Sequence, residues 1–257
     1  MRRFSLTSGW RDGALSLLWP MVCAACRLPL AASATDRLCL RCRSGWVGLP
    51  HPRCARCGHP MRAASCQWCD RLPSFVRAAR SAVWYPDGTA RPTLAALKYE
   101  GWRSVAAPMA MALARLSWPD DVRDERAALI PVPLSRSREA ARGFNQSTVL
   151  AHALAGIDPT PVWEGVLIRG RTTRSQTRLT PAERERNVSG AFVLAPGART
   201  KVRGRHIILL DDVITTAATL NACATTLVEG GARVVSFLSF GRARAPGDEP
   251  PPEPAGA

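Results

Sequence analysis

Residues His206 to Thr219 read H-I-I-L-L-D-D-V-I-T-T-A-A-T, and no other part of this 257-residue chain is as informative. Ile207 to Leu210 form an apolar run too short for a buried helix and rich in branched residues, which predicts a strand covered on both faces. Two carboxylates, Asp211 and Asp212, stand side by side at its carboxyl end. Val213 and Ile214 lead into Thr215, Thr216, Ala217 and Ala218, and Thr219 precedes a helical segment that ends at Gly230-Gly231. In an open parallel sheet, ligands bind at such strand ends.

A short loop feeding a helix N-terminus offers unpaired backbone N–H groups at the positive end of the helix dipole, which together make a phosphate cradle. The hydroxyls of Thr215, Thr216 and Thr219 add donors. Adjacent carboxylates accept hydrogen bonds from two vicinal ribose hydroxyls, or hold a Mg²⁺ that also contacts pyrophosphate. The fitting chemistry is recognition of a ribose 5-phosphate, with phosphate on residues Val213 to Thr219 and the sugar hydroxyls at Asp211 and Asp212. The stretch resembles the phosphoribosyl diphosphate (PRPP) signature of the type I phosphoribosyltransferases: an apolar strand, two acids, two apolar residues and T-T-G-x-T. Ala217 stands where that signature has Gly. A Cβ there disfavours positive φ, which predicts a slightly altered loop that still leaves room for phosphate. The plainer alternative is a solvated acid pair between a buried strand and an ordinary capped helix.

Towards the N-terminus, eight of the nine cysteines form four C-x-x-C pairs: Cys23/Cys26, Cys39/Cys42, Cys54/Cys57 and Cys66/Cys69. Two residues between thiolates let one turn aim both sulfurs at a single metal, and two such turns complete a tetrahedral shell. One or two structural zinc ions are expected, in a segment whose sparse apolar pattern would not fold without metal. Nothing places the chain in an oxidising compartment, which weighs against disulfides. Two sequential sites are preferred, Cys23-Cys26-Cys39-Cys42 and Cys54-Cys57-Cys66-Cys69, while an interleaved cross-brace remains open. His51 and His59 are read as solvated, and Cys223 as a small core residue.

Between these two regions the chain reads as an α/β domain. A basic linker is expected from Arg71 to Arg80, a strand over Ser81 to Tyr85, helices over Thr89 to Tyr99 and Trp102 to Leu116 with Met109 and Met111 as core filler, and a strand over Ala128 to Val132. Arg136, Arg138 and Arg142 then fall in one basic loop, where Gly143 permits close backbone approach to a ligand, before a helix from Gln146 to Ala155. Arginine suits bidentate contact with phosphate. A second basic loop carries Arg169, Arg171, Arg174, Arg178, Arg184 and Arg186, and Thr180-Pro181-Ala182-Glu183 inside it has the form of a helix start. A long polar loop of this kind is suited to closing over pyrophosphate.

Composition bounds the remaining readings. The chain carries 35 basic and 20 acidic residues, a net charge of +15, and 46% hydrophobic residues, enough for a core and a surface suited to polyanions. No run of eighteen apolar residues indicates a membrane span. Trp19-Pro20 interrupts the apolar patch from Ala14 to Val22, which argues against a signal peptide and for a cytoplasmic protein.

Taken in order, these pieces are similar to the ComF/GntX-like family: the four C-x-x-C pairs, L-K-Y at Leu97 to Tyr99, P-V-P-L at Pro131 to Leu134, R-G-F-N-Q-S at Arg142 to Ser147, Q-T-R-L at Gln176 to Leu179, E-R-x-x-N-V-x-G-A-F from Glu185 to Phe192, and the acid-pair loop. The resemblance implies a tail at 1–22, a double zinc ribbon at 23–70, a phosphoribosyltransferase-type domain at 78–243 with a twisted, mainly parallel sheet and flanking helices, and a disordered Pro-rich tail at 244–257. It implies PRPP or a related phosphorylated ribose as ligand, with Mg²⁺. Asp211 and Asp212, with Arg174 and Arg178 for charge stabilisation, would act in catalysis; Arg142 and Gly143 would join residues 213–219 in binding PRPP. Members are linked to natural transformation, beside incoming single-stranded DNA and DNA-uptake proteins. A different class of function also fits: a non-catalytic protein binding single-stranded DNA through zinc ribbons and arginine loops, with Trp46 and Trp68 as stacking platforms. A zinc-stabilised scaffold is the third.

Overall fold

The computed structural model describes residues 21–31, 34, 36–61, 66–170, 190–245, 247 and 248. In chain order, the cysteine-rich segment holds helix α1 (Leu40–Ser44) and a 3₁₀ turn (Gln67–Arg71), and β1 (Val76–Tyr85) follows. Next come α2 (Ala90–Tyr99), a 3₁₀ turn (Arg103–Val105), α3 (Ala106–Ala114), α4 (Asp120–Glu125) and β2 (Arg126–Pro131). The chain continues through α5 (Arg136–Arg142), α6 (Gln146–Ala155), β3 (Leu167–Arg169), β4 (Phe192–Leu194) and α7 (Ala198–Val202). It closes with β5 (His206–Ile214), α8 (Ala218–Glu229) and β6 (Val234–Ala243).

Four strands make one sheet in the order β1-β6-β5-β2, every neighbouring pair parallel, and β3 and β4 form a separate antiparallel pair. The central position of β5 follows from its composition. Ile207 and Leu209 face the layer that holds Leu220, Cys223 and Leu227 of α8, while Ile208 and Leu210 face Met109 and Leu113 of α3 and Leu150 of α6. Each of the four is fully buried, and such burial contributes roughly 1.5 to 3 kcal/mol per side chain. Side-chain alternation thus divides one apolar run between two cores.

The cysteine-rich segment lies along the outer edge of β1. Val47 O accepts from Trp84 N at 2.7 Å, Gly48 bridges Val83, and Ala79 N donates to Arg56 O at 2.9 Å. An edge that would otherwise present unpaired backbone groups is covered. The strand also starts earlier than expected, at Val76, inside the stretch read as a linker. Its arginines are compatible with a strand because Arg77 reaches Asp121 at 2.5 Å, while Arg80 donates to Ser117 O at 2.7 Å and to Ala55 O at 2.9 Å.

The expected helix over Gln146 to Ala155 is α6, whereas Trp102 to Leu116 divides into a 3₁₀ turn and α3, with Met111 on the exposed side. Arg136 to Arg142 form α5 rather than a loop. Among the described residues, no helix is long and apolar enough to cross a membrane. Arg174 and Arg178, with the rest of the second basic loop from Arg171 to Asn187 and the helix start expected at Thr180, lie outside the described residues.

Candidate functional site

At the carboxyl ends of the strands a cavity of about 670 Å³ opens between β5, α2 and α5. Asp211 and Asp212 line it, as do Val213, Ile214, Thr215, Ala217, Ala218 and Thr219. Four basic side chains share the lining: Lys98 from α2, Arg138 and Arg142 from α5, and Arg169 at the end of β3. The acid pair and the loop expected to cradle phosphate therefore face one space, and Arg142 joins them. Two expected residues hold other places. Gly143 closes α5 at φ 73° and donates its N–H to Glu139 O at 2.7 Å, outside the cavity wall. Thr216 turns its Oγ1 to accept from Ala218 N at 3.4 Å.

Local chemistry places each wall. Ser135 Oγ caps α5 by accepting from Arg138 N at 3.4 Å, so a run of charges with no buried residue still forms a helical turn and carries Arg138 and Arg142 on it. Asn145 caps α6 by accepting from Ser147 N at 2.9 Å, and its Nδ2 donates to Val132 O at 2.9 Å, tying the helix to the end of β2. Ser147 Oγ, thus positioned, donates to Asp211 Oδ1 at 3.1 Å, the same oxygen that accepts from Asp212 N at 2.8 Å. Ala217 precedes α8 at φ 64° and ψ 0°, the left-handed conformation that Gly would supply. The loop is not altered to avoid positive φ; a non-Gly residue adopts it, at a cost of about 1 to 2 kcal/mol.

Electrostatics make the pair unequal. Asp212 is nearly buried and forms an ion pair with Lys98, whose side chain is itself only 17% exposed. Burial pushes the Asp211 carboxyl up to about 6, against the opposing pull of Lys98 and the Ser147 hydrogen bond. Burial likewise draws the Lys98 ammonium down to about 8, with Asp211 acting in the other direction. Burial lowers the Arg142 guanidinium too; it lies 5.2 Å from the ring centroid of Tyr99 and donates to Gln146 Oε1 at 2.7 Å. Bidentate chelation of Mg²⁺ does not fit this pair, since Oδ1 of Asp211 accepts two hydrogen bonds and an ammonium already rests on Asp212.

Lys98 and Ser147 are site residues that the sequence reading left without a role. Both fall in quoted motifs, L-K-Y and R-G-F-N-Q-S. The signal available for Lys98 was rarity, as it is one of two lysines among 35 basic residues.

The cysteines gather in sequence order. Sγ atoms of Cys23, Cys26, Cys39 and Cys42 lie within 4.8 Å of one another, as do those of Cys54, Cys57, Cys66 and Cys69. Cys26 and Cys39 sulfurs are 3.8 Å apart, and Cys54–Cys69 and Cys57–Cys66 are each 3.4 Å apart. Tetrahedral Zn–S bonds of about 2.3 Å set sulfurs about 3.8 Å apart, so both clusters fit a zinc ion and the interleaved arrangement is not adopted. Against the upward push of burial, backbone N–H groups of Cys26 and Cys39 bring the Cys23 thiol down to about 6, whereas burial drives Cys42 and Cys57 upward. Such clusters hold four thiolates only around a cation.

Neither histidine joins a cluster. His59 is buried, not solvated, with Nε2 2.9 Å from Asp248 Oδ1. Trp46 packs edge-on against Phe240 at 4.9 Å and Trp68 is 2% exposed, so both tryptophans serve packing rather than an open stacking platform.

The double zinc ribbon domain family matches residues 14–72. Over 233 residues the chain is 31% identical to the DNA utilization protein YhgH of Salmonella typhi, spanning 84% of this chain and 94% of that protein. It is 30% identical over 212 residues to the competence protein ComFC of Bacillus subtilis strain 168, spanning 80% of this chain and 83% of that one. Among solved structures, the glutamine phosphoribosylpyrophosphate amidotransferase from B. subtilis is 24% identical, covers 53% of this chain and 26% of its own, and aligns with a TM-score of 0.36. Ribbon match, near full-length relatives and the strand-end acid pair agree, and the chain belongs to the ComF-like family, in which an N-terminal double zinc ribbon precedes a phosphoribosyltransferase-like domain.

Proposed function

We propose that this chain binds PRPP or a related phosphorylated ribose at the strand-end cavity and serves the handling of DNA taken up by the cell. One observation carries the reading: the acid pair and the threonine-rich loop, contiguous in sequence, open into the same cavity among four basic side chains. The 5-phosphate belongs on residues 213–219 at the N-terminus of α8, and the ribose hydroxyls belong at Asp211 and Asp212. Basic groups on the opposite wall, Arg138 and Arg142, suit the diphosphate of PRPP, whose departure from the anomeric carbon they would favour by stabilising charge. Arg174 and Arg178 are assigned the same part. Mg²⁺ enters this reading as a partner of the diphosphate rather than of the two carboxylates. The names of the relatives, competence protein and DNA utilization protein, support the cellular role.

Calorimetry with PRPP and Mg²⁺ on the zinc-loaded protein tests the reading. Binding is expected in the wild type and is expected to weaken at least about a hundredfold in Asp211→Asn/Asp212→Asn, in which two charged acceptors are lost. Equal affinity in both proteins refutes it. No binding in either protein refutes it as well and transfers the weight to single-stranded DNA, for which the ring of Tyr99, 74% exposed at the cavity wall and backed by Arg142, is the available stacking surface.

A further inference from the structure

The geometry points to Lys98 as the built-in cation of the sugar site: its ammonium holds Asp212 in place of a divalent metal, so that this chain recognises ribose 5-phosphate without metal. The inference rests on the ribose-phosphate reading of the cavity and assigns the site a ligand requirement that the reading leaves open.

Lys98 is delivered from outside the sheet. It stands in the last turn of α2, a helix whose N-terminal end is fixed to the first cysteine cluster: Thr89 Oγ1 donates to Cys42 O, and Trp46 Nε1 donates to Thr93 Oγ1 at 3.3 Å. From there the side chain enters the cavity and meets the nearly buried carboxylate of Asp212. An ammonium carries three donors, and one contact with Asp212 leaves the others for sugar or phosphate oxygens.

The surrounding charges favour this arrangement over a metal. Asp211 and Asp212 face Lys98 from β5, Arg138 and Arg142 face it from α5, and Arg169 lines the same space from β3. Four basic groups against two acids leave a formal surplus of two positive charges on the described lining. A dication placed on the acid pair would be opposed by every one of those four, at separations where a partly buried site screens poorly. An anion is drawn in by the same field. Asp211 adds no vacant chelating edge, because its Oδ1 accepts from Ser147 Oγ and from Asp212 N.

The test is calorimetric titration of ribose 5-phosphate, which lacks the diphosphate that would bring metal with it, into the zinc-loaded protein in magnesium-free buffer without chelator and in Mg²⁺. Wild-type affinity is expected to agree within about twofold between the two buffers, and titration with Mg²⁺ alone is expected to give no heat of binding at the site. Lys98→Met is expected to lose about tenfold or more in magnesium-free buffer, because a charged hydrogen-bonding group is gone. Lys98→Arg is expected to recover most of the loss, since it restores the charge; a purely structural role for the side chain would not show this split. Lys98→Met/Asp212→Asn, which removes both members of the Lys98–Asp212 ion pair, guards against misfolding of the single variant and is expected to bind no better in Mg²⁺ than in magnesium-free buffer. Wild-type binding that requires Mg²⁺, or Lys98→Met binding as tightly as wild type in magnesium-free buffer, overturns the inference while the ribose-phosphate reading stands. Absence of ribose 5-phosphate and PRPP binding under every condition overturns both.

Discussion

Asp211 illustrates what the site demands of single residues. Its carboxyl is pushed up to about 6 from an ordinary 3.8 by burial. The fold therefore favours the protonated form relative to the unfolded chain; that contribution is complete below pH 4 and is lost as pH rises through 6. Above pH 6 the ionised side chain is a net burden on the order of 2 kcal/mol. Asp211→Asn keeps the shape and the acceptor for Ser147 while removing the charge. Its melting temperature at pH 8 is expected to exceed that of the wild type by about 5 °C, and the gap is expected to close towards pH 4. Thermal denaturation across that range checks this, and a variant no more stable at pH 8 contradicts it. The gain in stability would come with the loss of a ribose acceptor, the usual opposition between a stable site and a working one. Ala217 shows the same opposition, since it holds φ 64° while 4% exposed, in a loop that lines the cavity.

At the level of elements, α2 is the connection between metal and ligand. Its first residues lean on the first cysteine cluster and its last turn supplies Lys98, so displacement of one end displaces the other. Stripping zinc with a chelator is expected to weaken ribose 5-phosphate binding by about tenfold or more, and restoring zinc is expected to reverse the loss. Affinity that survives complete zinc removal, checked by metal analysis of the same sample, would show that α2 is held without the ribbon. Such a link was not legible in the sequence. The strand, acid pair and loop from His206 to Thr219 were, because a strand buried on both faces, two adjacent acids and a Thr/Ala-rich turn leave a local pattern. The C-x-x-C clusters were legible for the same reason. Helix α5 was not, because it buries no residue and has no apolar period; only its Ser135 cap and Gly143 at positive φ mark its ends. Lys98 closes a helix whose apolar face is unmistakable, but which cavity its charge enters depends on contacts 114 residues away in sequence, between Lys98 and Asp212.

On the scale of the whole molecule, the ribbons and the sheet share charge as well as backbone hydrogen bonds. Arg242, near the end of β6, is fully buried, donates from Nη2 to Cys57 O at 2.7 Å and from Nε to Ser81 Oγ at 3.2 Å, and lies 4.3 Å from the ring centroid of Trp68. Burial pulls its guanidinium down to about 10, with Cys57 opposing the shift. A buried cation of this kind needs a counter-charge, and four thiolates around one Zn²⁺ leave two negative charges beside it. The second ribbon and the central sheet thus stabilise each other across Ser81, Cys57 and Trp68, where no single stretch of sequence records the contact. Arg242→Met is expected to cost about 3 kcal/mol or more, a fall of roughly 6 to 12 °C in melting temperature, because the anionic cluster loses its partner. It is also expected to release zinc to a chelator faster from one of the two clusters only. Arg242→Lys is expected to restore little, since an ammonium cannot span a carbonyl and a hydroxyl while stacking on an indole. Zinc release at the wild-type rate from both clusters, in a variant as stable as the wild type, would mean that the second ribbon is held by its edge pairing with β1 alone.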